Sequence, residues 1–479
     1  MTYRETLDYL YAQLPMYHRI GPAAFKKDLT NTLALCEHLG NPQQRFKSVH
    51  VGGTNGKGSV SHMLAAVCQA AGLKTGLYIS PHYKDFRERI KVDGQYIPRR
   101  QVIDFVAQNR EAIAQIQPSF FELCVAMAFD HFARAGVDVA IIEVGLGGRL
   151  DSTNVITPLL SVITNISYDH QSMLGDTLPQ IAFEKAGIIK PGVPVVIGET
   201  HPESAPVFIQ KAAETGSEIV FADRQFAVTE IPAGDGLSSV YEVNGQTFEL
   251  DAGGPYQAKN LATLLQSVEI LRRFLPRIKP GTVQHGLKNL RTLTRFIGRW
   301  QIIGQNPTIL CDSAHNEAGL QLAFERIRQI LAIPNPQSPI RNPQSPIPNP
   351  QSPIPPSDHR FCERQGRGQS VGVVSAGGAV LFCQSRHPPR TGGRRFERKS
   401  RGARPEWTGL YLGAQCPQGR PPYRRTQRPD RGDRQHFRGG RGAVTLPNGN
   451  KMTPISIFPY PTKPAAASLR AAKFPAPSI

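Results

Sequence analysis

Residues 49–67 read VHVGGTNGKGSVSHMLAAV. A β-branched apolar run gives way to a glycine-rich turn, and the turn opens into an amphipathic helix. In that geometry backbone N–H groups and the positive end of the helix point at one place, which is where an anion binds. In such a cradle Lys57 can reach the terminal phosphates of a nucleotide, and Ser59 can touch the associated magnesium. The spacing departs from the usual phosphate loop because Gly58 stands between Lys57 and Ser59. A glycine-rich turn on its own is usually structural. The strand before it and the helix after it make this one a phosphate cradle built from Gly53, Thr54, Asn55, Gly56, Lys57, Gly58 and Ser59.

Working outward, FKSVHV, KTGLYIS, DVAIIEVGLG, LLSVITNIS and VPVVIG alternate with helical patterns from residue 46 to about 200. Uninterrupted apolar strands separated by amphipathic helices indicate a parallel sheet covered on both faces, a doubly wound α/β domain. A helical stretch, YQAKNLATLLQSVEILRRFL, follows. The strand NPTILCDSAHN and the helix EAGLQLAFERIRQIL then open a second α/β domain. That domain stops short. Asn335, Asn342 and Asn349 each begin a copy of a Pro-rich seven-residue repeat that cannot bury a face and reads as an extended linker. The expected organisation is a nucleotide-binding domain over 1–296, the start of a second domain over 297–333, a linker over 334–356, and a basic tail of low order over 357–479.

The formal charge of +19 suggests a polyanionic partner until it is located. Residues 357–479 hold 23 Lys and Arg against 6 Asp and Glu, which leaves 33 against 31 for residues 1–356. The part of the chain with globular patterning is therefore nearly neutral. Seven cysteines without a Cys-x-x-Cys pair support neither a disulfide framework nor a zinc cluster, and no run of 18 or more apolar residues occurs. A soluble, cytoplasmic protein is expected, with no membrane partner.

The glycine-rich loop GGTNGKGS, together with YISPHYKDFRERI, SFFE at 119–122, EVGLGGRLDSTN at 143–154, ITNISYDHQSMLGDT and IAFEKAGIIKPG, resembles the folylpolyglutamate synthase/dihydrofolate synthase family, relatives of the Mur ligases. The likeness covers roughly residues 1–330. It implies a phosphate-loop parallel sheet of the Mur ligase central-domain type and an ATP- and Mg²⁺-dependent amide ligase. Such a ligase joins L-glutamate to dihydropteroate or a folate through an acyl phosphate. Because the basic excess lies in the tail, no nucleic-acid partner is expected, and the chain is expected to act as a monomer.

Glu143 ends the strand DVAIIE at the carboxyl edge of the sheet, where by position alone a carboxylate either caps the next turn or holds magnesium. The resemblance makes it a metal ligand, adds Ser80 to the same shell, and gives His170 to a second ion. It also implies that Lys185 is carbamylated, since a bare lysine cannot ligate a cation. Lys57, His170 and Lys185 become the catalytic set. Asn260, Arg299, Asp312 and His315 resemble the family's ATP-contacting positions. The family favours DGAHNP where this chain has Ser313 and Glu317, which puts that loop's conformation in question.

Other readings are another Mur-superfamily ligase with a different acceptor, or a phosphate-loop domain carrying an RNA-binding Arg/Gly tail. The tail itself changes character after a repeat equivalent to 21 nucleotides. Synonymous codons can be chosen so that DHRFCERQGRG, VLFCQSRHPPR and RQHFRGGRGA, each read one nucleotide later, give IIVFVNGKDV, FYFAKAAIPR and GSTFVAEEA. These are ligase-like segments in the expected order. A frameshifted C-terminal region is expected, with much reduced ligase activity for this polypeptide.

Overall fold

A computed structural model describes residues 1–14, 28–231, 239–305, 308–314, 316–332 and 379–382. Eight strands form the main sheet: β1 (Lys47–Gly52), β2 (Thr75–Tyr78), β3 (Ile90–Val92), β4 (Gln95–Tyr96), β5 (Val139–Glu143), β6 (Leu160–Ile163), β7 (Val195–Ile197) and β8 (Ile219–Phe221). Their order is β4-β3-β2-β5-β1-β6-β7-β8. The six strands from β2 to β8 pair in parallel, and β3 and β4 add an antiparallel edge.

Side chains alternate between two cores, as the period of a strand requires. Val49 and Val51 of β1, Leu77 of β2, Val139 and Ile141 of β5, and Leu160 and Val162 of β6 pack with the helices Lys57–Ala70 and Gln257–Leu271. Tyr78, Ala140 and Ile142 face the opposite way, onto the helix Phe120–Ala135. Burial on both faces explains why these strands are continuously apolar.

The topology fixes where a ligand goes. The chain leaves β1 for β2, inserts β5 between them, and places β6 on the other side of β1. The reversal opens a crevice at the carboxyl end of β1. The loops after β1, β5 and β6 meet there.

A three-stranded antiparallel sheet, β9 (Val228–Ile231), β10 (Ser239–Val243) and β11 (Gln246–Leu250), was not anticipated from the sequence. Its signal was present in VNGQ: Asn244 and Gly245 take φ of +51° and +75°, the two positive values that a tight hairpin turn needs. A third sheet pairs β12 (Gln301–Gln305) antiparallel to β13 (Thr308–Asp312), with β14 (Ala379–Phe382) parallel on the far side of β13. The helix Glu317–Ala332 follows β13. The repeat and, apart from β14, the basic tail lie outside the described residues.

Candidate active site

The phosphate loop is shaped by two glycines that tolerate no side chain. At Gly53 φ is +131° and a Cβ would lie 2.0 Å from Thr164 Oγ1; at Gly56 φ is +85° and a Cβ would lie 2.3 Å from Asn260 Oδ1. Polar residues at the end of β6 hold the loop in place. Thr54 N donates to Asn165 O at 2.9 Å, Asn55 N to Asn165 Oδ1 at 2.8 Å, and Thr164 Oγ1 to Asn55 O at 2.5 Å. The Thr54 hydroxyl accepts from Ser167 N at 3.1 Å. No side chain caps the helix that begins at Lys57, so its first N–H groups stay available to a ligand.

Lys57 and Lys185 converge on the same carbonyl. Lys57 Nζ donates to Gly53 O and Thr54 O, each at 3.0 Å, and Lys185 Nζ donates to Gly53 O at 2.9 Å. Lys185 is only 4% exposed. Burial, then the charge of Lys57, pushes its amine down to about 7, while Asp169 and Asp151 oppose the shift.

Glu143, at the end of β5, is also buried. Its Oε2 accepts from Ser80 N at 2.9 Å, and its Oε1 lies 3.6 Å from the point where a Cβ on Gly58 would stand. Burial raises its carboxyl above the ordinary range, against the pull of Lys57, the Ser80 N–H, Arg299 and Arg89. Ser59 Oγ is buried with no hydrogen-bond partner among the described residues. A buried carboxylate that lacks full compensation and an unsatisfied hydroxyl on the first turn of the same helix are a donor set that a hard cation fits. His170 sits in the left-handed region at φ +49° and opens the short helix Gln171–Leu174. Its Nε2 is 3.7 Å from Asp169 Oδ1, and Asp169 in turn acts on Lys185.

The far wall comes from later in the chain. Asn260 covers Gly56 and donates to Gln257 Oε1 at 2.8 Å. The Asp312 carboxylate is buried and accepts from Trp300 N at 2.9 Å, from Ala314 N at 2.8 Å, and from the Tyr256 hydroxyl. Burial alone would lower Arg299, but Tyr83, Asp312, Tyr256 and Glu143 outweigh it and hold the guanidinium charged. Ser313, which replaces the family's glycine, accepts from the Tyr83 hydroxyl at 2.9 Å, and Ser313 N donates to Gly298 O at 3.0 Å. That loop is therefore pinned from both sides. His315 lies outside the described residues.

The structure thus gathers the phosphate loop, Ser80, Glu143, Lys185, Asn260, Arg299 and Asp312 at the crevice, with His170 on the segment that flanks the loop. Sequence reasoning missed Thr164, Asn165 and Ser167. The clue was the polar pair Thr164 and Asn165, with Ser167 just beyond, directly after the apolar strand β6 at the carboxyl edge. It also missed Glu88, whose carboxylate gathers the N–H groups of Tyr83, Lys84 and Asp85 and so shapes the turn that follows Ser80.

Residues 51–263 match the Mur ligase middle domain family. The folylpolyglutamate synthase of Lacticaseibacillus casei is 37% identical over 346 residues, spanning 70% of this chain and 78% of that protein. The dihydrofolate synthase/folylpolyglutamate synthase of Bacillus subtilis is 36% identical over 319 residues, spanning 64% and 73%. Among solved structures, an FPGS–AMPPCP–folate complex superposes with a TM-score of 0.63 at 36% identity, covering 70% of this chain and 82% of that one. The folylpolyglutamate synthase of Thermotoga maritima gives 0.59 at 35% identity, covering 68% and 74%.

Proposed function

This chain belongs to the folylpolyglutamate synthase/dihydrofolate synthase family of ATP-dependent glutamate ligases in folate metabolism, and we propose that it joins the amino group of L-glutamate to the carboxylate of dihydropteroate or of a folate by way of an acyl phosphate. One observation carries the reading. Glu143, the Ser59 hydroxyl, which has no partner among the described residues, and the buried amine of Lys185 lie against a single loop, and no side chain caps the helix that follows it.

A carboxylate is a poor acyl donor, so the reaction is split in two. A substrate carboxylate oxygen bonds to the terminal phosphorus of ATP while the bridging bond to ADP breaks. The glutamate nitrogen then bonds to the acyl carbon, inorganic phosphate leaves, and the nitrogen loses its proton. The loop amides and the start of the helix Lys57–Ala70 hold the phosphates, and Lys57 exchanges the Gly53 and Thr54 carbonyls for phosphate oxygens. Asn260, Arg299 and Asp312 would complete the nucleotide site, together with His315, which lies outside the described residues.

Ser59, Ser80, Glu143 and His170 would hold magnesium, which supplies charge neutralisation for phosphoryl transfer. Lys185 fits the same shell once carbamylated: an amine pushed down to about 7 is about half uncharged at neutral pH and so open to CO₂, and the carbamate carries two anionic oxygens. We propose that it acts as a cytoplasmic monomer; among the described residues no helix is long and apolar enough to cross a membrane.

The test is phosphate release by the purified chain with ATP, supplying or omitting dihydropteroate, tetrahydrofolate and glutamate in turn. Release that requires glutamate and one pterin acceptor is expected, at a much lower rate than that of a full-length relative because of the C-terminal region. Release indifferent to both would overturn the assignment.

A further inference from the structure

The phosphate loop is tied directly to the second domain by a reciprocal amide pair. Asn316 Nδ2 donates to Asn55 Oδ1 at 2.8 Å, and Asn55 Nδ2 donates to Asn316 Oδ1 at 3.3 Å, across 261 positions of sequence. Both residues are anchored on their own side. Asn55 gives its backbone N–H to Asn165 Oδ1 and its backbone carbonyl to the Thr164 hydroxyl, and its Nδ2 also lies 3.2 Å from Ser167 Oγ. Asn316 Oδ1 accepts from Gly319 N at 3.0 Å, three residues into its own chain, which makes Asn316 the N-cap of the helix Glu317–Ala332. One side chain therefore caps a second-domain helix and clasps the loop that shapes the phosphate site.

We propose that Asn55 and Asn316 form a clasp that couples nucleotide binding to docking of the second domain, with Asn316 as a positioning residue that acts through Asn55. The chemistry suits that role. A primary amide carries a donor and an acceptor on one short planar group, so each partner both gives and receives. The clasp also aims the positive end of the helix at the loop. A nucleotide that orders Asn55 thereby favours the docked helix, and by linkage the docked helix favours the nucleotide to the same degree. The proposal rests on the reading that the loop holds ATP, and goes beyond it by assigning the link between the two domains.

The test uses the full chain and the variants Asn55→Ala, Asn316→Ser and the double variant. Serine caps a helix about as well as asparagine but is too short to reach Asn55, so Asn316→Ser removes the clasp and keeps the cap. Affinity for AMPPCP with magnesium is measured by calorimetry, and amide exchange over residues 317–328 is followed with and without it. Each single variant is expected to bind the analogue roughly three- to tenfold more weakly, the scale of one or two neutral hydrogen bonds. The double variant should be no weaker than the worse single. Analogue-induced protection of the helix should vanish in all three.

Unchanged affinity in Asn316→Ser, or losses that multiply in the double variant, would overturn the clasp. A parent chain that does not bind AMPPCP at all refutes the nucleotide reading instead. The clasp is then decided by urea unfolding of the same four proteins, where additive effects of the two substitutions refute it and non-additive effects support it.

Discussion

Two glycines of the same loop should respond to alanine with opposite signs. At Gly56 the left-handed backbone, φ +85°, costs an L-residue about 1–2 kcal/mol. The new Cβ would stand 2.3 Å from Asn260 Oδ1, so Asn260 must turn and its 2.8 Å bond to Gln257 Oε1 is lost, for about 1 kcal/mol more. Gly56→Ala should therefore lose about 2–3 kcal/mol. Gly58 lies in the first turn of the helix Lys57–Ala70 without a positive φ, and the nearest atom to its new Cβ would be Glu143 Oε1 at an ordinary 3.6 Å. Alanine there should gain up to about 0.5–1 kcal/mol, because it restricts the unfolded chain and so loses less entropy on entering the helix. Urea unfolding of the two variants separates them by their midpoints. Binding should not follow stability: both variants lose affinity for magnesium–AMPPCP, Gly56→Ala because the cradle deforms, and Gly58→Ala because its methyl group takes up space beside Glu143 Oε1 that a bound cation would need. A Gly56→Ala protein within about 0.5 kcal/mol of the parent, well below the backbone cost alone, would refute the loop geometry. A stable Gly58→Ala protein that binds as the parent does would take Glu143 away from the cation.

Lys185 gives a pH signature. Its folded value of about 7 lies below the ordinary 10.5, so between those limits the unfolded chain binds more protons and stability rises with pH; below about 7 the full cost of the buried charge is present. In CO₂-free buffer Lys185→Met should therefore exceed the parent in stability most at pH 6–7, with the margin shrinking toward pH 10, as read from urea midpoints across that series; a margin that does not change with pH would refute the burial argument. Glu143→Gln keeps an acceptor for Ser80 N and removes a charge whose carboxyl burial has raised. It should unfold at higher urea than the parent at pH 8 and lose the magnesium dependence of AMPPCP binding; a less stable variant with magnesium dependence intact would show that the carboxylate is held by protein partners alone.

What the sequence made legible follows from the range of the interactions involved. The loop could be read because strand, glycines and helix are contiguous, and the core faces because Val49, Val51, Val139 and Ile141 repeat with the period of a strand. Lys185 could not be read in this way. On the pattern of FEKAG alone it is a solvated helix lysine, and only the resemblance pointed inward; its burial arises because the helix Leu178–Ala186 lays it against the Gly53 carbonyl, 132 positions earlier. The same holds for Thr164 and Asn165, whose task is to bond a loop 109 or more residues away. Asp312 was read as a nucleotide contact, yet its carboxylate is already committed to Trp300 N, Ala314 N and the Tyr256 hydroxyl. It shapes the wall that carries Arg299, whether or not it also meets a ligand. The β9–β11 sheet was missed for a weaker reason, since VNGQ carried its hairpin in plain view.

The second domain is where composition and structure must be weighed together. Its buried apolar cluster among the described residues is Trp300, Leu310, Ala323 and Ile327, far less than a domain needs to stand alone. Its placement therefore depends on what it borrows from the first domain: Arg326 to Glu230 at 2.6 Å, Tyr83 to Ser313, Tyr256 to Asp312, and the Asn55–Asn316 pair. Strand β14 does not settle the reading frame, because backbone pairing to β13 asks only for a short apolar run. AVLF supplies one in this frame, and the stretch from Val380 has synonymous codons that, read one nucleotide later, supply FYFA in the other. Nor does the charge of +19 bear on the cleft, because its excess lies in residues 357–479, and every residue assigned to the phosphate site precedes them. The nucleotide sequence across Pro334–Ser357 discriminates. An open +1 frame from about Ser357 that encodes alternating strands and helices makes the basic tail a by-product of a shifted frame, whereas early stop codons there make it a genuine part of the protein.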